Sequence, residues 1–176
     1  MQTLRILITI ASISFFSNIH ATAAKYESRY TPLTPEKCIT LHEEGESIVQ
    51  ECPSFGGYQL HASEFDLRQS ITILKDGREF PLQFWDTVSP AFSSLGGKAE
   101  WRFIQSDPKP KPIALITRLN VTSGEDGEKT TSWLVVSKLS TKNTCVVGKI
   151  APQIDGTQNQ KARDMADKAE GMSCIK

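Results

Sequence analysis

Histidine is scarce in this chain of 176 residues, which contains three, at His20, His42 and His61. General-base catalysis uses histidine more often than any other side chain, and it needs a nucleophile or a metal beside the ring. The sequence also has no G-x-S-x-G motif for a serine nucleophile. The segment Ser106–Lys109 matches S-x-x-K, but its proline opposes the helix that this motif requires. We therefore predict no catalytic residue of the histidine or serine type.

An excess of charge of one sign is also missing, because Lys+Arg and Asp+Glu number 20 each. A neutral chain has no global field that would attract nucleic acid or an anionic membrane surface. The glycine pairs Gly56-Gly57 and Gly96-Gly97 lack the strand–loop–helix pattern of a phosphate-binding loop. We therefore expect neither a nucleic-acid partner nor a cofactor.

A long apolar run occurs only at the start of the chain. Leu4–Phe16 is apolar, includes the positive charge of Arg5, and is too short to span a bilayer stably. Ala21-Thr22-Ala23 then supplies the small-x-small pattern that signal peptidase cleaves. We predict that residues 1–24 are a signal peptide cleaved near Ala23/Ala24, with an N-terminal membrane anchor as the alternative. The mature chain, residues 25–176, would be periplasmic or secreted and not inserted in the membrane.

Four cysteines follow the apolar run, at Cys38, Cys52, Cys145 and Cys174. An even number in an exported chain indicates disulfides, and four cysteines allow three pairings. Cys38 and Cys52 flank a predicted hairpin, and Cys145 opens the last predicted strand, with Cys174 close to the C-terminus. We favour the pairs Cys38–Cys52 and Cys145–Cys174. Zinc is the competing use, but no C-x-x-C spacing is present, so we predict no metal.

The strand signals are strongest between residues 111 and 150. Apolar runs at Pro112–Thr122, Thr130–Ser140 and Thr144–Ile150 predict three strands joined by turns at Glu125–Glu128 and Thr141–Asn143. Weaker signals predict further strands or hairpins at residues 39–49, 58–62, 67–74, 79–85 and 99–105. Residues 25–37 are expected to run extended across the surface, and residues 53–57 to form a loop. Ser89-Pro90 has the form of a short helix start.

A helix over about residues 158–170 is predicted by the spacing of its apolar side chains. Ala162, Met165, Ala166, Ala169 and Met172 form a narrow stripe, and Gly171 is placed to end the helix. The fold class is therefore one α+β domain over residues 25–176. It consists of a curved antiparallel β-sheet of about six to eight strands, a meander of hairpins, covered by one C-terminal helix.

Two acidic segments are the candidate binding sites. If residues 63–68 are extended, Glu64, Asp66 and Arg68 project to one face, where the carboxylates could act as an acid/base pair. A surface ion pair between Asp66 and Arg68 is the alternative. Glu43 and Glu44 belong to an acidic turn that could attract a cation or a basic partner, although it lacks the spacing of a calcium loop; a solvated turn is the alternative. Phe55, in the predicted 53–57 loop, completes the set of binding candidates.

The chain resembles a group of small exported proteins of Gram-negative bacteria. The resemblance covers most of the mature chain and is carried by Tyr30-Thr31-Pro32-Leu33, Cys38, Cys52-Pro53, Phe55-Gly56-Gly57-Tyr58, Asp66-Leu67-Arg68, Trp101-Arg102, Pro112-Ile113-Ala114, Arg118, Cys145 and Cys174. It implies export and disulfides, and it assigns no catalytic residue. In size, number of disulfides and compartment the chain is also similar to periplasmic lysozyme inhibitors, a likeness of architecture alone.

Three functional hypotheses follow. The preferred one is an exported, non-enzymatic binding or inhibitor-like protein with an envelope protein as its partner, and it predicts an exposed apolar or acidic patch. The alternative is a cell-envelope hydrolase that uses Glu64 and Asp66, which requires both carboxylates in one cleft. The third hypothesis is a structural accessory of the envelope.

Overall fold

The computed structural model describes residues 25–123 and 129–175. Within these ranges there are ten strands: β1 Tyr26–Pro32, β2 Ile39–Glu44, β3 Ser47–Phe55, β4 Tyr58–Phe65, β5 Arg68–Lys75, β6 Arg78–Pro81, β7 Ser93–Ile104, β8 Lys111–Ser123, β9 Lys129–Lys138 and β10 Cys145–Ile150. There are also two α-helices, α1 Phe84–Thr87 and α2 Gln158–Ala166, and two 3-10 turns, Pro35–Lys37 and Ala169–Gly171. The predicted signal peptide and the Glu125–Glu128 turn lie outside the described residues.

All ten strands belong to one open sheet with the order β10-β9-β8-β7-β5-β4-β3-β2, to which β1 adds on β7 and β6 on β5. The described strand pairs are antiparallel except for a short parallel contact of β5 with β7 at Arg68 and Ser93. The sheet is larger than the predicted six to eight strands. The extra pairing comes from Tyr26–Pro32, which was expected to run across the surface but pairs along Lys98–Ile104 of β7.

The sheet has two halves, strands β2–β6 and strands β7–β10 with β1. These halves face each other across one core. Leu60 and Ile71 from β4 and β5 belong to the same buried cluster as Trp101 and Leu115 from β7 and β8. The indole of Trp101 is fully buried, and its Nε1 donates a hydrogen bond of 2.8 Å to Thr31 Oγ1. The polar end of this large apolar side chain is therefore satisfied inside the core.

Helix α2 covers the other face of the β8–β10 half. Ala162 and Ala166 are fully buried in a second cluster with Leu134 and Val136 of β9, so β9 has protein on both sides, as its apolar sequence predicts. The predicted apolar stripe is confirmed, but the helix is shorter than predicted. It ends at Ala166, and a 3-10 turn continues to Gly171.

The prediction of a helix after Ser89-Pro90 is wrong. Residues from Ser93 onward belong to β7, and the helical turn α1 lies upstream, where Phe84 is fully buried and its N–H donates to Ser70 Oγ at 3.0 Å. A Cβ on Gly96 would lie 2.7 Å from Arg118 Cβ. The glycine therefore permits close approach of β8 rather than ending a helix.

Two disulfides brace the sheet, Cys38–Cys52 and Cys145–Cys174, the same pairs that the sequence favours. The first closes the β2–β3 hairpin. The second ties the C-terminal segment to β10, where Ile175 N–H also donates to Val146 O at 2.9 Å.

None of the helices in the described part of the chain is both long enough and apolar enough to cross a bilayer.

A buried ion-pair network fastens α2 to the sheet. Arg102, 8% exposed, donates from Nε and Nη2 to the two carboxylate oxygens of Asp167, each at 2.8 Å. Glu100, also 8% exposed, accepts from Arg163 Nε at 2.7 Å and from Ser28 Oγ at 2.5 Å. Bidentate pairs of this kind fix orientation as well as adding energy, so the helix has one docking position on the sheet.

We expect acid to destabilise the protein through Glu100. Burial acts to raise the pKa of Glu100, but hydrogen bonds from Arg163 and Ser28 outweigh it and hold the pKa below the usual value of 4.5. A carboxyl group whose pKa is depressed in the folded state stabilises the protein above its unfolded pKa, and this contribution is lost as the pH falls through the folded pKa. The melting temperature of residues 25–176 should therefore fall as the pH drops below about 4.5.

Glu100→Gln supplies the control, because glutamine keeps the shape of the side chain and does not titrate in this range. The variant should start from a lower melting temperature at pH 7 and lose less between pH 5 and pH 3 than the unmodified protein. Equal losses in the two proteins would show that Glu100 does not control acid stability.

Candidate functional site

Asp66 and Leu67 form a tight turn. The sequence predicted that residues 63–68 are extended, and this prediction is wrong. Strand β4 ends at Phe65, both turn residues have positive φ (51° and 57°), and β5 begins at Arg68. The predicted alternation of Glu64, Asp66 and Arg68 along one face is therefore wrong. The side chains of Arg68 and Asp66 form an ion pair within this turn, which fits the alternative interpretation as a surface ion pair.

Glu64 precedes that turn and points into a different environment. Its Oε2 accepts a hydrogen bond of 2.6 Å from Gln69 Nε2, and Gln69 Oε1 in turn accepts one of 2.6 Å from Leu95 N–H. Glu64 lines a cavity in which Asp66 does not take part. The two carboxylates are therefore not brought into one cleft, which is the arrangement that the hydrolase hypothesis requires.

This cavity, which we call the acidic groove, measures about 400 Å³ and lies where the two halves of the sheet separate. Its lining consists of Leu33, Thr34, Pro35, Thr40, Glu43, Ile48, Gln50, Ala62, Ser63, Glu64, Gln69, Ser94, Leu95, Gly96 and Gly97. Glu43 and Glu64 supply the charges in this lining, and lysine and arginine are absent from it. The groove is therefore negative in a chain with no overall charge.

Strand register places the side chains of Glu43 and Glu64 on the same face of the sheet. Ile48 of β3 pairs with Glu43 of β2 on one side and with Glu64 of β4 on the other. Directly paired residues share a face of the sheet, and neighbouring strands lie about 4.8 Å apart. The Cα atoms of Glu43 and Glu64 are therefore about 10 Å apart, with the apolar side chain of Ile48 between them.

Strand β2 forms one border of the sheet beside the acidic groove. All six of its residues are exposed, including Ile39 at 70%, Leu41 at 51% and the acidic Glu44. Within residues 25–123 and 129–175, no strand pairs with its outer edge. Unpaired N–H and C=O groups on such an edge can accept an additional strand.

Phe55 does not contribute to this surface. Strand β3 continues through Phe55, and the predicted 53–57 loop is reduced to a turn at Gly56 and Gly57. The ring of Phe55 is 8% exposed and packs edge-on against Phe103, with 5.2 Å between the ring centroids. The sequence predicts an exposed loop here, but a bulge between Cys52 and Phe55 shifts the alternation of β3 so that both side chains face the core.

A second cavity of about 500 Å³ lies at the opposite end of β4 and β5, and we call it the lysine cleft. Its lining consists of Gly56, Tyr58, Lys75, Pro110, Lys111, Pro112, Lys138, Leu139, Ser140, Thr141, Asn143 and Glu170. No local motif in the sequence indicates this cleft, because its lysines are scattered along the chain.

The described residues contain no group of three or more histidine, cysteine, aspartate or glutamate side chains placed to hold a metal ion.

Comparisons with protein-family models, curated proteins and solved structures find no match to this chain.

Proposed function

We propose that the protein is an exported, non-enzymatic binding protein that holds an extended, basic polypeptide segment of an envelope protein along β2 and the acidic groove. One observation carries the proposal. Glu43 lies on β2, whose outer edge is open, and Glu64 lies two strands inward on the same face of the sheet, with Ile48 between them.

The open edge favours an extended polypeptide as the ligand. A peptide that pairs with β2 satisfies its own main-chain groups and those of the strand, and the pockets beside the edge then select alternate side chains. Ile39 and Leu41 offer exposed apolar contacts to the same segment. Ile39 pairs with Glu51 and therefore lies on the face of the sheet opposite Glu43, so successive side chains of an added strand would meet an apolar residue on one face and a carboxylate on the other.

Charge favours a basic segment over a second copy of this chain. Glu43, Glu44 and Glu46 are all exposed at the β2–β3 turn, so this end of the edge is acidic, and opposite charges placed beside it are favourable. The bulge between Thr40 and His42 disturbs regular self-pairing. A strand added to this edge lies about 5 Å from Glu43 and about 14 Å from Glu64. A lysine or arginine beside Glu43 would therefore pair with that carboxylate and point toward the groove that Glu64 lines.

The exported location is supported by the apolar run and cleavage pattern of residues 1–24 and by the two disulfides, which persist in oxidising compartments. The hydrolase hypothesis receives no comparable support, since Glu64 and Asp66 lie in separate environments.

The test uses residues 25–176 with both disulfides formed. A labelled peptide that alternates lysine and threonine is titrated by fluorescence anisotropy, and a peptide that alternates glutamate and threonine serves as the negative ligand. We expect the lysine peptide to bind and the glutamate peptide not to bind. Glu43→Gln should weaken binding about tenfold or more, because it removes a charge-assisted contact at the edge. Glu64→Gln, two strands farther from the edge, should weaken binding less. Glu79→Gln, on the exposed β6, is the matched control and should leave the affinity unchanged.

Hydrogen exchange distinguishes edge pairing from binding in the groove alone. On addition of the lysine peptide, the backbone amides of Ile39–Glu44 should gain protection. If the lysine peptide does not bind, or if Glu79→Gln weakens it as much as Glu43→Gln does, the acidic groove is not the binding site.

A further inference from the structure

The lysine cleft collects cations from the ends of three strands. Lys75 is the last residue of β5, Lys111 the first of β8, and Lys138 the last of β9. A single carboxylate, Glu170, lines the cleft with them. A chain with equal numbers of cationic and acidic side chains therefore concentrates positive charge in one cavity and negative charge in another.

Neutral acceptors hold two of these ammonium groups. Lys138 Nζ donates to Met172 O at 2.8 Å, and Lys75 Nζ donates to Gly57 O at 3.2 Å. Lys75 Nζ also lies 4.9 Å from the centroid of the Tyr58 ring. Carbonyl and aromatic groups orient a cation without cancelling its charge, so both ammonium groups keep a charge that an anion can use.

The nearby carboxylates compensate this charge weakly. Lys111 Nζ lies 3.8 Å from Glu170, whose side chain is 82% exposed, and Lys75 Nζ lies 3.7 Å from Asp76, whose side chain is 68% exposed. Exposed pairs of this kind are strongly screened by water and salt, so a ligand can displace them at little cost.

The walls of the cleft are rigid. Pro110 and Pro112 fix the backbone on one side. The turn at Gly56 packs so closely on Pro112 that a Cβ would lie 2.3 Å from Pro112 Cγ. Leu139 and the ring of Tyr58 add apolar surface. A cleft formed in advance loses less freedom on binding and gains affinity for that reason.

We propose that the lysine cleft binds a small organic phosphate monoester. The dianionic phosphate lies among Lys75, Lys111 and Lys138, and the organic part packs on Tyr58, Pro112 and Leu139. Strands β4 and β5 separate this cleft from the acidic groove by about 20 Å at 3.3 Å per residue. The two sites can therefore be tested independently, and neither proposal depends on the other.

The experiment titrates residues 25–176 with glucose 6-phosphate by calorimetry, with glucose as the uncharged ligand. We expect the phosphate ester to bind and glucose not to bind. The affinity for the ester should fall at higher ionic strength, because salt screens its charge. Lys138→Gln should raise the dissociation constant about tenfold or more. Lys129→Gln is the matched control, because it removes an equal charge from the opposite end of β9 and should leave the constant unchanged.

Lys138→Gln also removes the hydrogen bond to Met172 O, so the melting temperature of each variant is measured first. If that variant is unfolded, Lys111→Gln replaces it, since Lys111 makes only an exposed ion pair. No binding of glucose 6-phosphate, an equal effect of Lys129→Gln, or binding to phosphatidylglycerol vesicles without a response to the soluble ester would each overturn the proposal.

Discussion

Arg102→Met should lower the free energy of unfolding by about 3–5 kcal/mol, the range found when one partner of a buried ion pair is removed. The guanidinium of Arg102 donates to both carboxylate oxygens of Asp167, and its Nη1 donates to Ser28 Oγ at 2.6 Å. Methionine fills a similar volume but leaves the carboxylate of Asp167 without its cation. Urea unfolding at pH 7, with the disulfides intact, measures the change.

Arg78→Met is the control for loss of an arginine. Arg78 is exposed and makes one long hydrogen bond, 3.4 Å to Thr141 O, so its loss should change the free energy by no more than about 0.5 kcal/mol. The double variant Arg102→Met/Asp167→Leu should recover much of the stability, because an apolar pair can replace a buried ion pair. Equal effects of Arg102→Met and Arg78→Met would contradict the assigned role of the network.

The elements that could be predicted from the sequence are those defined by local pattern. The strands β8, β9 and β10 have apolar runs bounded by turn residues, and the helix α2 has alanines at helical spacing. In each case the same side chains that create the pattern are buried in the structure. The local pattern was sufficient here, because a continuous apolar run defines each strand and one apolar stripe defines the helix.

The elements that could not be predicted depend on partners distant in the sequence. Tyr26–Pro32 has two prolines nearby and no strong alternation, and it becomes a strand because β7 offers an open edge. Ser93–Gly97 contains two glycines, and it becomes a strand because β8 approaches it closely at Arg118. Sequence propensity is a weak guide where tertiary pairing decides the conformation.

The candidate site shows the same limit. Glu43 and Glu64 were each identified as acidic residues, but the groove that joins them depends on both pairing with Ile48. The turn at Asp66 and Leu67 has positive φ without a glycine. Aspartate adopts this conformation more often than most residues, but leucine rarely does, so the pair did not indicate a turn. Because residues 63–68 were expected to be extended, Asp66 and Arg68 were predicted as neighbours of Glu64, and this prediction is wrong.

Gly56→Ala should be more destabilising than Gly45→Ala, although the two glycines have nearly the same backbone conformation, with φ of +60° and +58°. A left-handed conformation costs an alanine about 1–2 kcal/mol at either position. At Gly45 a Cβ meets nothing within 4 Å, whereas at Gly56 it would lie 2.3 Å from Pro112 Cγ. Overpacking of this kind adds about 1–3 kcal/mol, so we expect a total of about 2–5 kcal/mol for Gly56→Ala.

Urea unfolding of both variants separates the steric cost from the backbone cost, because the difference between them isolates the contact with Pro112. Equal losses would show that the β3–β4 turn can move away from Pro112 without cost. In Gly56→Ala the β3–β4 turn must move away from Pro112, and this movement would open one wall of the lysine cleft. A folded Gly56→Ala protein should therefore bind glucose 6-phosphate more weakly than the unmodified protein, while Gly45→Ala, at the other end of β3, should bind it equally well.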